Sequence, residues 1–414
     1  MNSRGIIQKI FPDQSTVRTL ITYNALQGLY LGYINVFWQP FLITLGISVA
    51  LIAILEATAG QYGILASLVQ SFGGLLSDRI GRRKVVISGS ALLVTCWSIA
   101  ASAFIFRIQL FAIPAYVFWS LGALSIPALD AVLADTVRAD ARTRVYSVIL
   151  VANFLPSALT GYLAGQYSSS LGASTFLAIA AILEGSGLMI LLLRLSEHSH
   201  TRSNEVRTDS SMKQVLVNIR LHWKYFVVIS ADSLTWTIGS SLLYALLQES
   251  QSFSKQDFGM IALALPLGLV FGTIPGGWLA TKIGPRNLLI FSEFLGAGMM
   301  LGWAIYPLPS MIPVYGFSWG AAISTWVPVQ FQLSSHFFPQ HSRGELMGNL
   351  GTARGLVRGI GPIIAVSLFL TLGYAAPLIA GSLGILLTIV LIIKFIPSKV
   401  TIVDEKICPA TDKH

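Results

Sequence analysis

Long apolar runs separated by short polar punctuation dominate this chain. About twelve stretches of roughly 20 or more mostly apolar residues follow one another. They lie near 18–43, 49–76, 85–106, 108–133, 145–167, 173–194, 223–248, 257–281, 288–307, 310–336, 345–371 and 373–396. That is the length an α-helix needs to cross a bilayer core of about 30 Å. The runs do not alternate apolar and polar residues as the strands of a membrane barrel would. The pattern predicts an all-α, polytopic membrane protein of twelve transmembrane helices, numbered below as crossings 1 to 12. Crossing 1 contains Asn24, Gln27, Asn35 and Gln39 and is not followed by a small-residue cleavage site. It is read as a retained helix, not a signal peptide.

Composition agrees and adds little. The 414 residues are 54% hydrophobic and only 11% charged, too few charges to cover a water-soluble surface. The net charge of +9 matters more, because it is unevenly placed. Lys and Arg crowd the loops on the side of both termini, while the opposite loops hold only Arg107 and Lys255. The positive-inside rule then puts both termini in the cytoplasm, with the chain in the cell membrane. The same asymmetry accounts for the basic charge without a nucleic-acid partner. Cys96 lies within crossing 3 and Cys408 in the terminal tail, so no disulfide framework is expected. No metal-ligand cluster, cofactor motif or nucleophile–base arrangement stands out. His198 and His200 fall in a linker, His222 and His341 at helix flanks. An enzyme is not expected.

The longest polar stretch, "RLSEHSHTRSNEVRTDSS" (194–211), divides the chain into 1–194, a linker over 195–222, and 223–414. Met212, Val215, Leu216, Ile219 and Trp223 share one helical face. They suit a short helix lying on the membrane surface, or the first turns of crossing 7. The second half repeats the first. "GGLLSDRIGRRK" (73–84) aligns with "GGWLATKIGPRN" (276–287), Pro127 with Pro328, Arg144 near Arg343, and Asn24 opposite Asp232. Two pseudo-symmetric six-helix bundles with a solute site between them are the architecture such parallel repeats indicate.

The stretch at 73–84 resembles motif A of the major facilitator superfamily, carried here by Gly74, Asp78, Arg79, Gly81, Arg82 and Arg83. Its glycines permit a sharp turn and close helix contact. Asp78 ends crossing 2, where a carboxylate can accept hydrogen bonds from a helix N-terminus. The resemblance implies that the partner is crossing 11 of the other half, forming a conformational latch. It also implies an acid at the end of crossing 4, matched by Asp135, between which and Asp78 Arg79 and Arg82 exchange partners. The second copy holds Thr281 at the aspartate position and Pro285 in the basic run, so the latch is expected to be asymmetric.

Ionisable groups inside a bilayer cost at least about 2.5–3.5 kcal/mol each and are functional candidates by default. The acids are Glu56, Asp130, Glu184, Asp232 and Glu293, and the bases Arg354 and Arg358. The two arginines are four apart and share one helix face. The resemblance sets crossings 2 and 11 opposite one another. Three readings then stand: Glu56 pairs with Arg358 or Arg354 as an interdomain gate, the arginines bind an anionic group of the solute, or they pair with acids in their own half. Asp232 is the first choice for a proton-coupling or solute-binding acid and Asp130 the second. By the resemblance, crossings 1, 4, 7 and 10 line the cavity. Asn24, Gln27, Asn35 and Trp38, with Trp236, Tyr244, Trp326 and Gln330, supply amides and rings for a solute site, or serve as packing residues and interface anchors. Glu293 is expected to snorkel. Glu184 has no expected partner.

The chain thus reads as a secondary transporter that moves a small organic solute by alternating access, coupled to protons, working as a monomer in the lipid bilayer. Motif A and size favour drug or metabolite efflux. Phe118, and "FLPSALTG" in crossing 5, depart from efflux members and keep a sugar or organic-anion carrier as the alternative. A receptor on a transporter scaffold is the alternative of another class. Asp78→Asn is expected to impair transport with expression nearly intact, checked by uptake assay against membrane-protein yield.

Overall fold

The computed structural model describes residues 14–61, 63–137, 142–196, 220, 222–337 and 343–397. The expected surface helix near 212–219 and Cys408 lie outside the described residues. The secondary structure among the described residues is entirely helical. Nine of their stretches are long and apolar enough to cross a membrane. One of these, Val145–Arg194, is 50 residues long and is divided by the non-helical Gly172 (φ 76°) into crossings 5 and 6. Gln14–Thr44 supplies crossing 1 and Ile312–Phe337 crossing 10. The all-helical, multi-crossing fold is as the hydropathy pattern predicts.

The interruptions fall where the sequence does not announce them. Crossing 2 is Val49–Ala59 and Ile64–Ile80 around Gly60–Gly63. Crossing 4 is Ala112–Gly122 and Ser125–Thr136, and crossing 7 is Trp223–Ser240 and Leu243–Gln251. Pro156 and Pro362 lie inside helical stretches that run on through them.

The halves repeat in detail. Crossings 3 (Arg82–Phe106) and 9 (Pro285–Ile305) are entered through Gly81 (φ 101°) and Gly284 (φ 82°), a backbone region where an L side chain is strained. Two residues on in each copy, an arginine caps the last crossing of its own half. Arg83 Nη2 donates to the carbonyl of Leu192 at 2.7 Å, and Arg286 Nη2 to that of Ile393 at 2.8 Å. Orphan carbonyls at a helix C-terminus are thereby paired with a cation. The two turns mark what is called below the basic end; the opposite one is the far end.

Between the halves, crossing 2 packs on 11 (Arg343–Leu372), 5 on 8 (Lys255–Ile283), and 1 on the far part of 7. Backbones touch along these seams. A Cβ on Gly165 would lie 2.5 Å from Gly259 Cα, and one on Gly359 2.9 Å from the Ala57 carbonyl. Small residues of this kind are what allow close helix contact without a hydrophobic drive. The far end is sealed: one apolar cluster there takes Phe37, Phe41 and Ile52 from the first half with Leu246, Phe253 and Phe258 from the second. At the basic end the described apolar residues form two separate clusters, one per half, around Val17, Val85 and Leu191 and around Tyr225, Leu288 and Ile392.

Gly165→Ala is expected to lower stability by about 1–3 kcal/mol, because the clash is with backbone that cannot rotate away. Gly185→Ala, where the added carbon meets nothing within 4 Å, is expected to be neutral or stabilising. Thermal melts of the purified variants check the pair.

Candidate functional site

Three pairs of side chains, each four residues apart and so on one helix face, converge inside the second half. Crossing 7 brings Asp232 and Trp236, crossing 10 brings Trp326 and Gln330, and crossing 11 brings Arg354 and Arg358. Glu293 of crossing 9 completes the group. Arg354 is held on three sides. Its Nε donates to Ser233 Oγ at 3.0 Å and its Nη1 to Gln330 Oε1 at 2.9 Å, while its guanidinium lies 4.8 Å from the Trp326 ring centre. The stacking is a cation–π contact. Trp236 Nε1 donates to Glu293 Oε2 at 3.0 Å.

The two acids are the unusual part. Asp232 is 4% exposed and Glu293 fully enclosed, and their carboxyls lie within hydrogen-bonding reach of each other. Among the described residues Asp232 Oδ1 and Glu293 Oε1 lack a well-aligned hydrogen bond, and the Trp326 indole N–H, itself without one, lies close enough to act on Glu293. Arg354 and Arg358 both act electrostatically on Asp232. A single proton shared by the carboxyls would relieve their mutual repulsion, since an ionised carboxylate only accepts and a protonated one donates. Glu293 therefore does not snorkel. It turns inward, onto Asp232 and Trp236.

The first half holds its acids differently. Glu184, also fully enclosed, receives Tyr23 Oη at 2.9 Å, Tyr30 Oη at 2.8 Å, Gln27 Nε2 at 3.3 Å and the Ser90 hydroxyl. Gln27 also donates to Tyr23 Oη at 2.8 Å. Tyr23, Gln27 and Tyr30 recur every three or four residues on crossing 1, the one sign in the sequence that they share a target. Glu56 does not meet an arginine. Its Oε1 accepts from Gln39 Nε2 at 3.1 Å and Tyr116 Oη at 2.9 Å. Of the three readings of the arginines, the Glu56 pair is not made: neutral donors lie closer to Glu56, and Arg354 and Arg358 act on Asp232 of their own half.

The remaining expected solute residues do not gather. Trp38 is 2% exposed and sits in an aromatic cluster with Trp97, Tyr116 and Trp119, at ring separations of 5.5 to 6.1 Å. Asn24 donates to the Leu20 carbonyl of its own helix, and its carbonyl accepts from Asn153. Asn35 is exposed. Tyr244 stacks on Trp319 at 5.9 Å. Asp130 Oδ1 takes the Tyr146 hydroxyl at 2.6 Å.

At the basic end Arg82 forms an ion pair with Asp135 and donates to the Ala131 carbonyl at 2.9 Å. Asp78 and Arg79 are exposed, and Asp78 acts on Arg82 through space. Gly74 has open room around it, the nearest atom to an added Cβ being 3.9 Å away. The side chains that begin crossing 11, including Arg343, lie outside the described residues, as does that of Arg144.

Comparison with known proteins adds a frame. The family model of the Major Facilitator Superfamily matches residues 20–247 and, again, 225–406. The multidrug efflux pump Tap of Mycolicibacterium fortuitum is 25% identical over 89% of this chain and 93% of its own length. The gentisate transporter of Corynebacterium glutamicum is 25% identical over 80% of this chain and 74% of its own. The solved structure of the human organic anion transporter MFSD10 superposes with a TM-score of 0.67, at 18% identity, over 92% of this chain and 99% of that one; at this identity it shows the fold.

Glu184→Leu would leave the Tyr23, Tyr30 and Ser90 hydroxyls without this acceptor, each costing about 1–3 kcal/mol if enclosed. A large fall in melting temperature is expected. Glu184→Gln, which keeps one acceptor oxygen, is expected to fall between that variant and the parent in the same melts.

Proposed function

We propose a transport mechanism for this chain, which belongs to the Major Facilitator Superfamily and is a multi-pass membrane transporter of small molecules. In this reading the Asp232–Glu293 pair carries the proton and the adjoining arginines carry an anionic group of the solute. The observation behind it is an enclosed Asp232–Glu293 pair beside two arginines that both act electrostatically on Asp232. Arginine keeps its charge throughout. With both carboxyls ionised, the cluster is neutral and has no call for an anion. With one proton between them, it carries one excess positive charge, and charge inside a bilayer demands a partner. Proton and anion thus bind together and leave together, an electroneutral symport.

Arg82 on Asp135, with Asp78 exposed, is the released state of the basic-end latch in this reading. Closing that end would bring Asp78 to the start of crossing 11 as the far end opens. The excess of Lys and Arg at the basic end supports placing it, with both termini, in the cytoplasm.

A second reading, proton-driven efflux, is favoured by the nearly full-length similarity to an efflux pump. There a cationic solute would compete with the proton for the same carboxyls. The two differ in sign. Anion symport predicts tighter solute binding at acid than at neutral pH; cation efflux predicts the reverse.

Proteoliposomes with an imposed pH gradient test both. Aromatic and aliphatic carboxylates are expected to accumulate when the outside is acid, and Asp232→Asn to abolish that accumulation while leaving solute exchange. Cationic dyes driven against the proton gradient, with carboxylates inert, would replace the first reading by the second.

A further inference from the structure

Crossing 7 is broken without a proline. Ser241 closes the last bond of its first part, its N–H donating to the Thr237 carbonyl at 3.1 Å, and the second part resumes with Leu246 N–H on Leu242 at 2.9 Å. In an unbroken helix Ala245 N–H would bond to the Ser241 carbonyl, four residues back. Here a side chain from the other half stands between them. Gln39 Nε2 donates to the Ser241 carbonyl at 2.6 Å, and Gln39 Oε1 accepts from Ala245 N–H at 3.1 Å. One missing backbone bond is replaced by two, both made by crossing 1. Insertion into the i to i−4 ladder is a recognised cause of a helix kink. In lipid such groups have no water to fall back on.

The amide is itself held. Gln39 is 7% exposed, and its Nε2 also donates to Glu56 Oε1, which accepts Tyr116 Oη as well. A relay therefore runs from crossing 4 through crossing 2 and crossing 1 to the break in crossing 7. Its last link is the one that passes between the halves, and it lies beside the apolar cluster that seals the far end.

We propose that Gln39 is the pin of the far-end gate, bonding the two ends of the break in crossing 7 only while that end is closed. Opening withdraws the amide and hands Ser241 and Ala245 to water. Glu56 and Tyr116 are positioning residues that orient the amide. The role of Glu56 is then acceptance by one oxygen, not charge, which a glutamine can supply. The inference rests on alternating access but not on the charge balance of the Asp232 cluster, so either can fail alone.

The test is a distance across the far end. Leu110 and Leu308, 68% and 52% exposed on opposite halves, become spin-label sites as Leu110→Cys and Leu308→Cys, with Cys408→Ser and the fully buried Cys96 left in place. The parent is expected to show mainly the short distance of the closed end. Gln39→Leu is expected to raise the long-distance population at least about fivefold, as stranding an enclosed backbone pair should. Gln39→Glu keeps the acceptor for Ala245 but faces Ser241 and Glu56 without a donor, so it should do the same and serves if the leucine variant does not fold. Glu56→Gln should keep the parent distribution, and Glu56→Leu should widen it. Parent-like distances in both Gln39 variants would overturn the pin. Glu56→Gln widening as far as Gln39→Leu would show that carboxylate charge holds the gate instead, and would overturn it equally.

Discussion

Inside a bilayer every polar group must find its partner within the protein, and this one constraint organises the molecule. A helix satisfies its own backbone, which is why the described crossings are built from helices. A departure from a continuous helix is completed by tighter backbone bonds, as at the break in crossing 4, or by a side chain. At the break in crossing 7 that side chain comes from crossing 1. At the end of the first part of crossing 2, the Ala59 carbonyl takes the Ser120 hydroxyl of crossing 4 at 2.6 Å. At the basic end Arg83 and Arg286 close the final carbonyls of their own halves. The far-end bonds include a contact between halves, while those two basic-end caps remain inside each half. Among the described residues the apolar clusters follow that difference, joined across the halves at the far end and separate at the basic end.

Much of this fold was legible because its signal is long. A run of twenty apolar residues needs no tertiary context, and the repeated Gly81 and Gly284 turns follow from two aligned motifs. The breaks were not legible, because their cause is elsewhere in the chain. Nothing in "TIGSSLLYALL" tells that Gln39 will enter between Ser241 and Ala245. Pro156 and Pro362 carry the conventional signal for a bend, yet their helices run on. A proline removes one donor, and neighbours can absorb that loss.

The site was legible in part, for a similar reason. Arg354 with Arg358, Asp232 with Trp236, and Trp326 with Gln330 are each visible as pairs four apart. Which pair meets which depends on packing between helices. Charge alone suggested Glu56 for the arginines. That argument overlooked that a half-buried carboxylate is served equally well by an amide and a phenol, and Gln39 and Tyr116 are nearer. Glu293 was misplaced for the opposite reason. Depth counted along the helix suggested an escape to the interface, but its face of crossing 9 points at Asp232.

The enclosed carboxyls of the two halves mark a division of labour. Glu184 accepts from four side chains on crossings 1 and 3, with both oxygens occupied. A proton added there must displace a donor, so the cluster resists change and ties crossings 1, 3 and 6 into one body. Asp232 and Glu293 lie together with few donors beside two permanent cations. A proton added there removes a repulsion and displaces nothing. Both groups obey the same rule of burial, yet one is saturated with donors and the other has fewer than its oxygens could accept. A transporter needs both conditions at once: halves rigid enough to move as units, and one place where a small change of charge alters which arrangement is stable. In the proposed mechanism the first half supplies the rigid case and the second half the responsive one. Arg354, bonded to Ser233 of crossing 7 and Gln330 of crossing 10, ties that response to crossing 11, whose Gly359 lies against the first half at the break in crossing 2.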